Sequence, residues 1–279
     1  MSDVFLCGGD CVEDVNRSEC HLRESPEVRI PTSHTIGRAI KELSHENLEY
    51  KSSSGNVFRF NTTPRLNDLL MKLNMKMGLF KSGQTVNVDF DHVFVKTEKA
   101  DAKYSYKQAY GYFPGVVSID GIIAYIENRD GNTPVKFHQA DTLSRAFKLL
   151  HSYGLHIGIF RADCGDWDSE EMSVIETYNK RGARECDFDR LNNDFGWKHL
   201  PCSFLKENTV YMILTAFCMN FFLYFIRAVS SVFTSLSPTS RVKKFVFHFI
   251  AVCAKWIRTA RRWWLYLYTG MPYDKLSFG

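Results

Sequence analysis

Three stretches decide the fold class: Val86-Asn-Val-Asp-Phe-Asp-His-Val-Phe-Val95, Val116-Val-Ser-Ile-Asp-Gly-Ile-Ile-Ala-Tyr-Ile126 and His156-Ile-Gly-Ile-Phe-Arg-Ala-Asp163. The first is rich in β-branched residues, and strand period two puts Asp89 and Asp91 on one face with Val88, Phe90 and Phe94 on the other. In the second, Asp120-Gly121 tolerates positive φ between two apolar runs, which predicts a tight hairpin. Arg129-Asp-Gly-Asn-Thr-Pro134 makes the next turn. Asp141 is placed to N-cap a helix with the apolar face Leu143, Ala146, Phe147, Leu150 and Tyr153, and Gly154 stops it. The third stretch reads as a buried returning strand. Three antiparallel strands, a crossover helix and a strand parallel to the first would bring Asp91 and Asp163 to neighbouring strand ends, where α/β sheets hold ligands.

Around this α/β section, residues 1–83 read as mainly helical, with a break at Lys51-Ser-Ser-Ser-Gly55, and residues 168–265 read as helical again. With 279 residues, 45% hydrophobic and 24% charged, the chain has globular composition, which excludes wholesale disorder, collagen-like repeats and coiled coil. Eight cysteines are too dilute for a disulfide scaffold, and no Cys-x2-Cys pair suggests zinc, so reduced, buried thiols are expected. The opening Met-Ser-Asp-Val-Phe-Leu-Cys has no basic n-region, so the expectation is cytoplasmic. Phosphate-loop, dinucleotide and nucleophile-elbow motifs are absent from the sequence.

Charge is lopsided. Between Asn208 and Thr269 there is no Asp or Glu, while Arg227, Arg241, Lys243, Lys244, Lys255, Arg258, Arg261 and Arg262 contribute +8. Asp274 and Lys275 cancel, so with a net charge of +4, residues 1–207 carry 4 − 8 = −4. A basic end beside an acidic body points to a polyanionic partner or membrane headgroups. Arg241 to Tyr268 reads as an amphipathic helix of cations and aromatics, suited to gripping phosphates through residues such as Lys243 and Lys244. Ser33 to Leu43 reads as a helix burying Ile36, Ile40 and Leu43, with Arg38 and Lys41 outward as in a recognition helix. Val210–Ile226 is an uncharged run near the lower length for a bilayer span, but Asn220 at its centre argues for a buried core helix over a membrane anchor.

The acids carry the candidate chemistry. Mg²⁺ and Mn²⁺ take hard oxygen ligands, and carboxylates from separate elements can hold two ions for phosphoryl displacement. Tyr178, Arg181 and Glu185, spaced +3 and +4, align on one helical face, and Asn192 continues the stripe. The same residues also fit a solvated helix face, and Asp89 and Asp91 also fit charges that guard a strand edge.

Tyr178-x2-Arg181-x3-Glu185 resembles the first three letters of the Y-R-E-K signature of bacterial insertion-sequence transposases. The run Tyr178-Asn-Lys-Arg-Gly-Ala-Arg-Glu-Cys-Asp-Phe-Asp189 and then Asn192-Asn-Asp-Phe-Gly-Trp-Lys-His-Leu-Pro201 resemble the IS-thirteen-eighty branch of that family. Asn87-Val-Asp-Phe-Asp91, Lys103-Tyr-Ser-Tyr-Lys107, Gly111-Tyr-Phe-Pro-Gly115, Asn132-Thr-Pro134, Phe160-Arg-Ala-Asp163 and, earlier, Gly8-Gly9-Asp10 with Asp14 extend the likeness over most of the chain.

The resemblance implies a ribonuclease-H-like mixed-sheet core at 84–235 within an α/β fold. It also implies a helical N-terminal segment at 1–83 that is a DNA-binding remnant, and a basic helical tail at 236–279. It implies a DDE triad of Asp91 (with Asp89 as the other choice), Asp163 and Glu185 holding two Mg²⁺, or Mn²⁺. Tyr178 and Arg181 would contact DNA near the cut, and a homodimer would act on terminal repeats and target DNA. Two departures stand out: Asn192 replaces the signature lysine, and only 21 residues separate Asp163 from Glu185, where the family has about a hundred or more. The chain thus resembles an internally deleted copy, read either as a transposase or as a non-catalytic DNA- or partner-binding remnant.

Overall fold

The computed structural model describes residues 2–16, 29–162 and 188–276. The N-terminal third holds α1 (Ser2–Leu6), a 3-10 turn at Val12–Asn16, α2 (Ser33–Glu42), the strands β1 (Leu48–Lys51) and β2 (Val57–Asn61), and α3 (Pro64–Lys76). Helix predominates among the described residues of this segment, as expected, and the break at Lys51-Ser-Ser-Ser-Gly55 is the turn of a hairpin that the sequence reading did not include. Ser52 N–H donates to Asn56 O at 2.9 Å, and Gly55 supplies φ 84°.

The central section follows the sequence closely. It runs β3 (Thr85–His92), the short strands β4 (Val95–Lys96), β5 (Lys103–Tyr104) and β6 (Tyr110–Tyr112), then β7 (Gly115–Ile119), β8 (Ile122–Arg129), α4 (Gln139–Ser152) and β9 (His156–Ala162). Asp120 and Gly121 sit at φ 51° and 81°, the two positive angles that a two-residue hairpin turn requires. Gly154 ends α4 at φ 74°. The helix begins at Gln139 rather than at a cap on Asp141, and Asp141 in its first turn bonds His138 Nδ1 at 2.5 Å.

The main sheet has the order β1-β2-β8-β7-β3-β9, antiparallel throughout except that β9 lies parallel to β3. This is a mixed α/β architecture with strands drawn from both sides of residue 83, and β4-β6-β5 forms a separate small sheet. Contrary to expectation, β9 is only half-buried, because among the described residues it is an edge strand.

Every residue of β8 is buried, yet β2 pairs with it only at Phe60–Arg129 and Asn61–Asn128. The rest of that edge faces α3 and α5 (Leu205–Ser230). Buried asparagines complete the missing ladder. Asn67 accepts from Ile126 N–H at 2.9 Å and donates to Ile126 O at 2.8 Å. Asn220 accepts from Ile123 N–H at 3.0 Å and donates to Ile123 O at 2.8 Å, and Asn74 donates to the same carbonyl at 3.0 Å. Asn220 also donates to Asn74 Oδ1 at 3.0 Å. A primary amide has the donor and acceptor of a peptide group, so Asn67 and Asn220 each stand in for an absent strand residue, and Asn74 supports Asn220. By length and composition α5 could cross a membrane, but most of its apolar run is buried in this fold.

On β8, the fully buried Glu127 is saturated by Arg145 Nε and Nη2 at 2.9 and 2.8 Å, Tyr125 OH at 2.9 Å and Thr142 Oγ1 at 2.6 Å. This pins α4 to the sheet.

After α5 the chain makes α6 (Val242–Phe245), a π turn at Val246–Ile250, and a hairpin of β10 (Ala254–Thr259) and β11 (Arg262–Leu267). The expected basic helical tail is corrected to a short helix and a two-stranded ribbon. Cross-strand pairing of Trp, Ile and Leu residues outweighs the helical spacing of its cations.

Asn220→Leu is expected to destabilise the fold by about 1–3 kcal/mol in urea unfolding, despite the gain in hydrophobicity, because Ile123 N–H loses its acceptor. Equal or higher stability would show that the edge is closed some other way.

Candidate active site at the end of strand β3

On β3 the alternation holds: Val86, Val88 and Phe90 are buried, while Asn87, Asp89 and Asp91 lie on the half-exposed face. Asp89 stands opposite Arg161 across the parallel β3–β9 pair and receives its guanidinium at 2.7 Å (Nε to Oδ1) and 3.2 Å (Nη2 to Oδ2). This two-pronged pair neutralises Asp89. Asp91, one step nearer the strand end, accepts the His92 N–H at 2.7 Å. Phe90 is paired with Ala162, the last described residue of β9, so the chain leaves β9 one register step from Asp91.

Behind Asp91, the His92 ring is stacked on Phe113 at 5.2 Å and meets Phe90 edge-on at 4.7 Å. Burial, reinforced by nearby Arg129, holds the imidazole well below its ordinary pKa and therefore neutral, and its Nε2 is unpartnered. Arg129 is itself fully buried, its guanidinium 5.2 Å from the Phe60 ring centroid and 5.7 Å from that of Phe113, and burial pulls its pKa to about 10. Both glycines of Gly111-Tyr-Phe-Pro-Gly115 permit close approach. A Cβ on Gly111 would lie 2.3 Å from Val95 O, and one on Gly115 would lie 3.0 Å from Phe90 and 3.2 Å from His92.

Near this end of β3, the small sheet and its β5–β6 turn carry the exposed side chains Lys103, Tyr104, Tyr106, Lys107 and Tyr110. Tyr106 reaches it through Phe113, at 6.2 Å between ring centroids, and Lys107 Nζ lies 5.1 Å over the Tyr106 ring.

Of the residues expected at the site, Asp163, Tyr178, Arg181 and Glu185 lie outside the described residues, as do Cys20, Cys164 and Cys186. Residues 188–193 are helical, with Asn192 half-buried. Arg38 and Lys41 are exposed on α2, opposite buried Ile36 and Ile40, with Arg38 Nε 4.0 Å from Glu42. Leu43, expected in the buried face, is instead exposed at the helix end. Lys243 and Lys244 are exposed on α6. Arg241, by contrast, is committed to Asp194, at 2.7 Å, and to Asp189. Among the thiols expected to be buried, Cys202 and Cys218 are, whereas Cys253 is exposed.

One group that could hold a metal ion was not foreseen: the ligand atoms of Asp10, Cys11 and Asp14 lie within 4.8 Å of one another. Its sequence signal is Gly8-Gly9-Asp10 with Asp14. Asp14 accepts backbone N–H groups from Asp10 at 3.0 Å and Cys11 at 3.4 Å, and these bonds lower its pKa. Burial and the Asp14 carboxylate push the Cys11 thiol up to about 11, which opposes thiolate ligation. The arrangement is better suited to starting the Val12–Asn16 turn than to gripping a cation.

No family model, curated protein or solved structure matches the chain. Fold and site together define a mixed α/β protein with an Asp-x-Asp pair on the strand that receives a parallel neighbour.

A double-mutant cycle of Asp89→Asn and Arg161→Gln, read by thermal unfolding, is expected to give a coupling of about 1 kcal/mol, because the pair is partly exposed. Additive effects would mean that the contact does not join β3 to β9.

Proposed function

We propose that the chain is a DDE-type transposase of bacterial insertion sequences, built on a ribonuclease-H-like core and shortened between its second and third acids. The observation that carries this reading is the parallel docking of β9 beside β3, which ends the described strand one register step from Asp91. The succession β3-β7-β8-α4-β9, three antiparallel strands and then a crossover to a parallel neighbour of the first, is what the resemblance leads one to expect.

In this reading Asp91, Asp163 and Glu185 hold two Mg²⁺, or Mn²⁺. Asp91, half-exposed and nearest the end of β3, is taken as the first ligand, with Asp89, which binds Arg161, as the other choice. When bound, the ions supply activation of the attacking oxygen and stabilisation of the leaving oxygen. Buried His92, packed between Phe90 and Phe113, backs the end of β3 where Asp91 stands. Tyr178, Arg181, Arg38, Lys41, Lys243 and Lys244 would contact the DNA backbone. The partners are terminal repeats and target DNA in the bacterial cytoplasm, at the nucleoid, with a second copy completing a dimer.

A second reading, a non-catalytic binder of DNA or of an intact transposase, is favoured by Asn192 in place of lysine and by the 21 residues between Asp163 and Glu185. The membrane reading draws less support, since α5 carries Asn220 into the sheet edge.

Nicking of supercoiled plasmid in Mg²⁺ or Mn²⁺ separates them. Asp91→Asn is expected to reduce nicking to background, while Asp89→Asn retains it once both variants are shown to be folded. Salt-sensitive DNA binding by the unaltered chain without metal-dependent nicking would instead establish the binder.

A further inference from the structure

The β10–β11 ribbon is absorbed by neither the core nor the candidate site: its two strands pack chiefly on each other. Its register sorts the side chains. Lys255–Tyr266, Ile257–Trp264 and Thr259–Arg262 share one face, while Ala254–Leu267, Trp256–Leu265 and Arg258–Trp263 share the other. Ala260 and Arg261, at φ 49° and 67°, make the two-residue turn and set Arg261 at the tip. Trp264 is 54% and Tyr266 56% exposed, large values for aromatic side chains. Among the described residues, Lys255, Arg258, Arg261 and Arg262 enter no ion pair, and no acid lies between Asn208 and Thr269 to offset them.

Such a ribbon is complementary to a polyanion, and the distribution of its cations selects which one. A segment lying in a membrane surface buries one apolar face and keeps its charges on the other. Here each face carries both cations and aromatics, and a further arginine caps the tip, so insertion of either face would bury charge. Duplex DNA offers the matching geometry. Its major groove, about 12 Å wide, admits a two-stranded ribbon and flanks it with phosphates on both sides. We propose that β10–β11 is a DNA-binding ribbon that enters the major groove. Lys255, Arg258, Arg261 and Arg262 reach the flanking phosphates, and Trp264 and Tyr266 lie against the groove's sugar and base edges. Arg258, 5.8 Å from the Trp263 ring centroid, is braced for that role by its cross-strand neighbour. The inference rests on the reading above only for its partner, DNA, and asks nothing of Asp91.

The test is anisotropy of a labelled duplex with the full chain in EDTA, so that cleavage plays no part, over a KCl series. Replacing Lys255, Arg258, Arg261 and Arg262 together by Ala is expected to reduce the log–log salt slope by about 3–4, since each lost phosphate contact removes about 0.9. The matching variant with all four as Lys or Arg in exchanged identity retains the slope, and a cooperative melt shows that the Ala variant is folded. Methyl green, which occupies the major groove, is expected to compete, and netropsin, which occupies the minor groove, is not. An unchanged slope, competition by netropsin alone, or no binding by the unaltered chain overturns the proposal. So does a result in which the Ala variant keeps DNA binding but loses binding to phosphatidylglycerol vesicles, which would make the ribbon a membrane element. Plasmid nicking that persists alongside an unchanged slope would remove the ribbon's role and leave the Asp91 reading standing.

Discussion

The architecture depends on how one edge of β8 is closed. A buried strand edge beside apolar helices would strand its peptide groups, at about 1–3 kcal/mol for each one left unmet. Asn67 and Asn74 from α3 and Asn220 from α5 supply the bonds that another strand would have made. This explains how a helix as long and apolar as a membrane span belongs to a folded core: its central amide is a piece of the sheet's ladder. With β8 held, β7 and β3 follow by ordinary antiparallel pairing, and the end of β3, where Asp91 stands, is fixed in turn.

Arginines engage several acids of this framework. Glu127 is saturated by Arg145, and Asp130 receives Arg59 at 2.7 Å. Asp101 joins three elements: it binds Arg59 at 3.1 Å and Tyr112 OH at 2.5 Å, and it accepts Leu205 N–H, the start of α5, at 3.0 Å. A carboxylate against unsatisfied N–H groups at a helix N-terminus also suits the helix dipole. Asp89 is taken by Arg161. Each of these pairings joins residues of different elements, whereas the Asp91 carboxylate also accepts the N–H of its own neighbour, His92.

The centre of the chain was legible because its signals are local. Alternation along Thr85–His92, an Asp-Gly turn and a glycine stop determine their own geometry, and the parallel return of β9 follows from the length of the crossover. The misread parts have signals that only long-range contacts resolve. Leu48–Lys51 is a short, mostly exposed strand with no alternation to betray it. The C-terminal ribbon turns on Ala260-Arg261, without the Asn or Gly that announces such a turn, and its cations recur at helical spacing. Burial of β9 could not be read from its apolar run, because edge position is a property of the sheet. At the site, the Asp-x-Asp pair was visible. The Arg161 pairing of Asp89 and the buried His92–Phe113–Arg129 group at the end of β3 bring together residues distant in sequence.

Whether a cation seats at the end of β3 is answered most directly by loading the full chain with Fe²⁺ and mapping hydroxyl-radical backbone scission, which occurs within a few ångströms of the bound ion. Scission around Asp91, Asp163 and Glu185, suppressed by excess Mg²⁺, is the expected pattern. Scission confined to the Asp10–Asp14 turn, or none above the metal-free background, would contradict a metal centre built on Asp91.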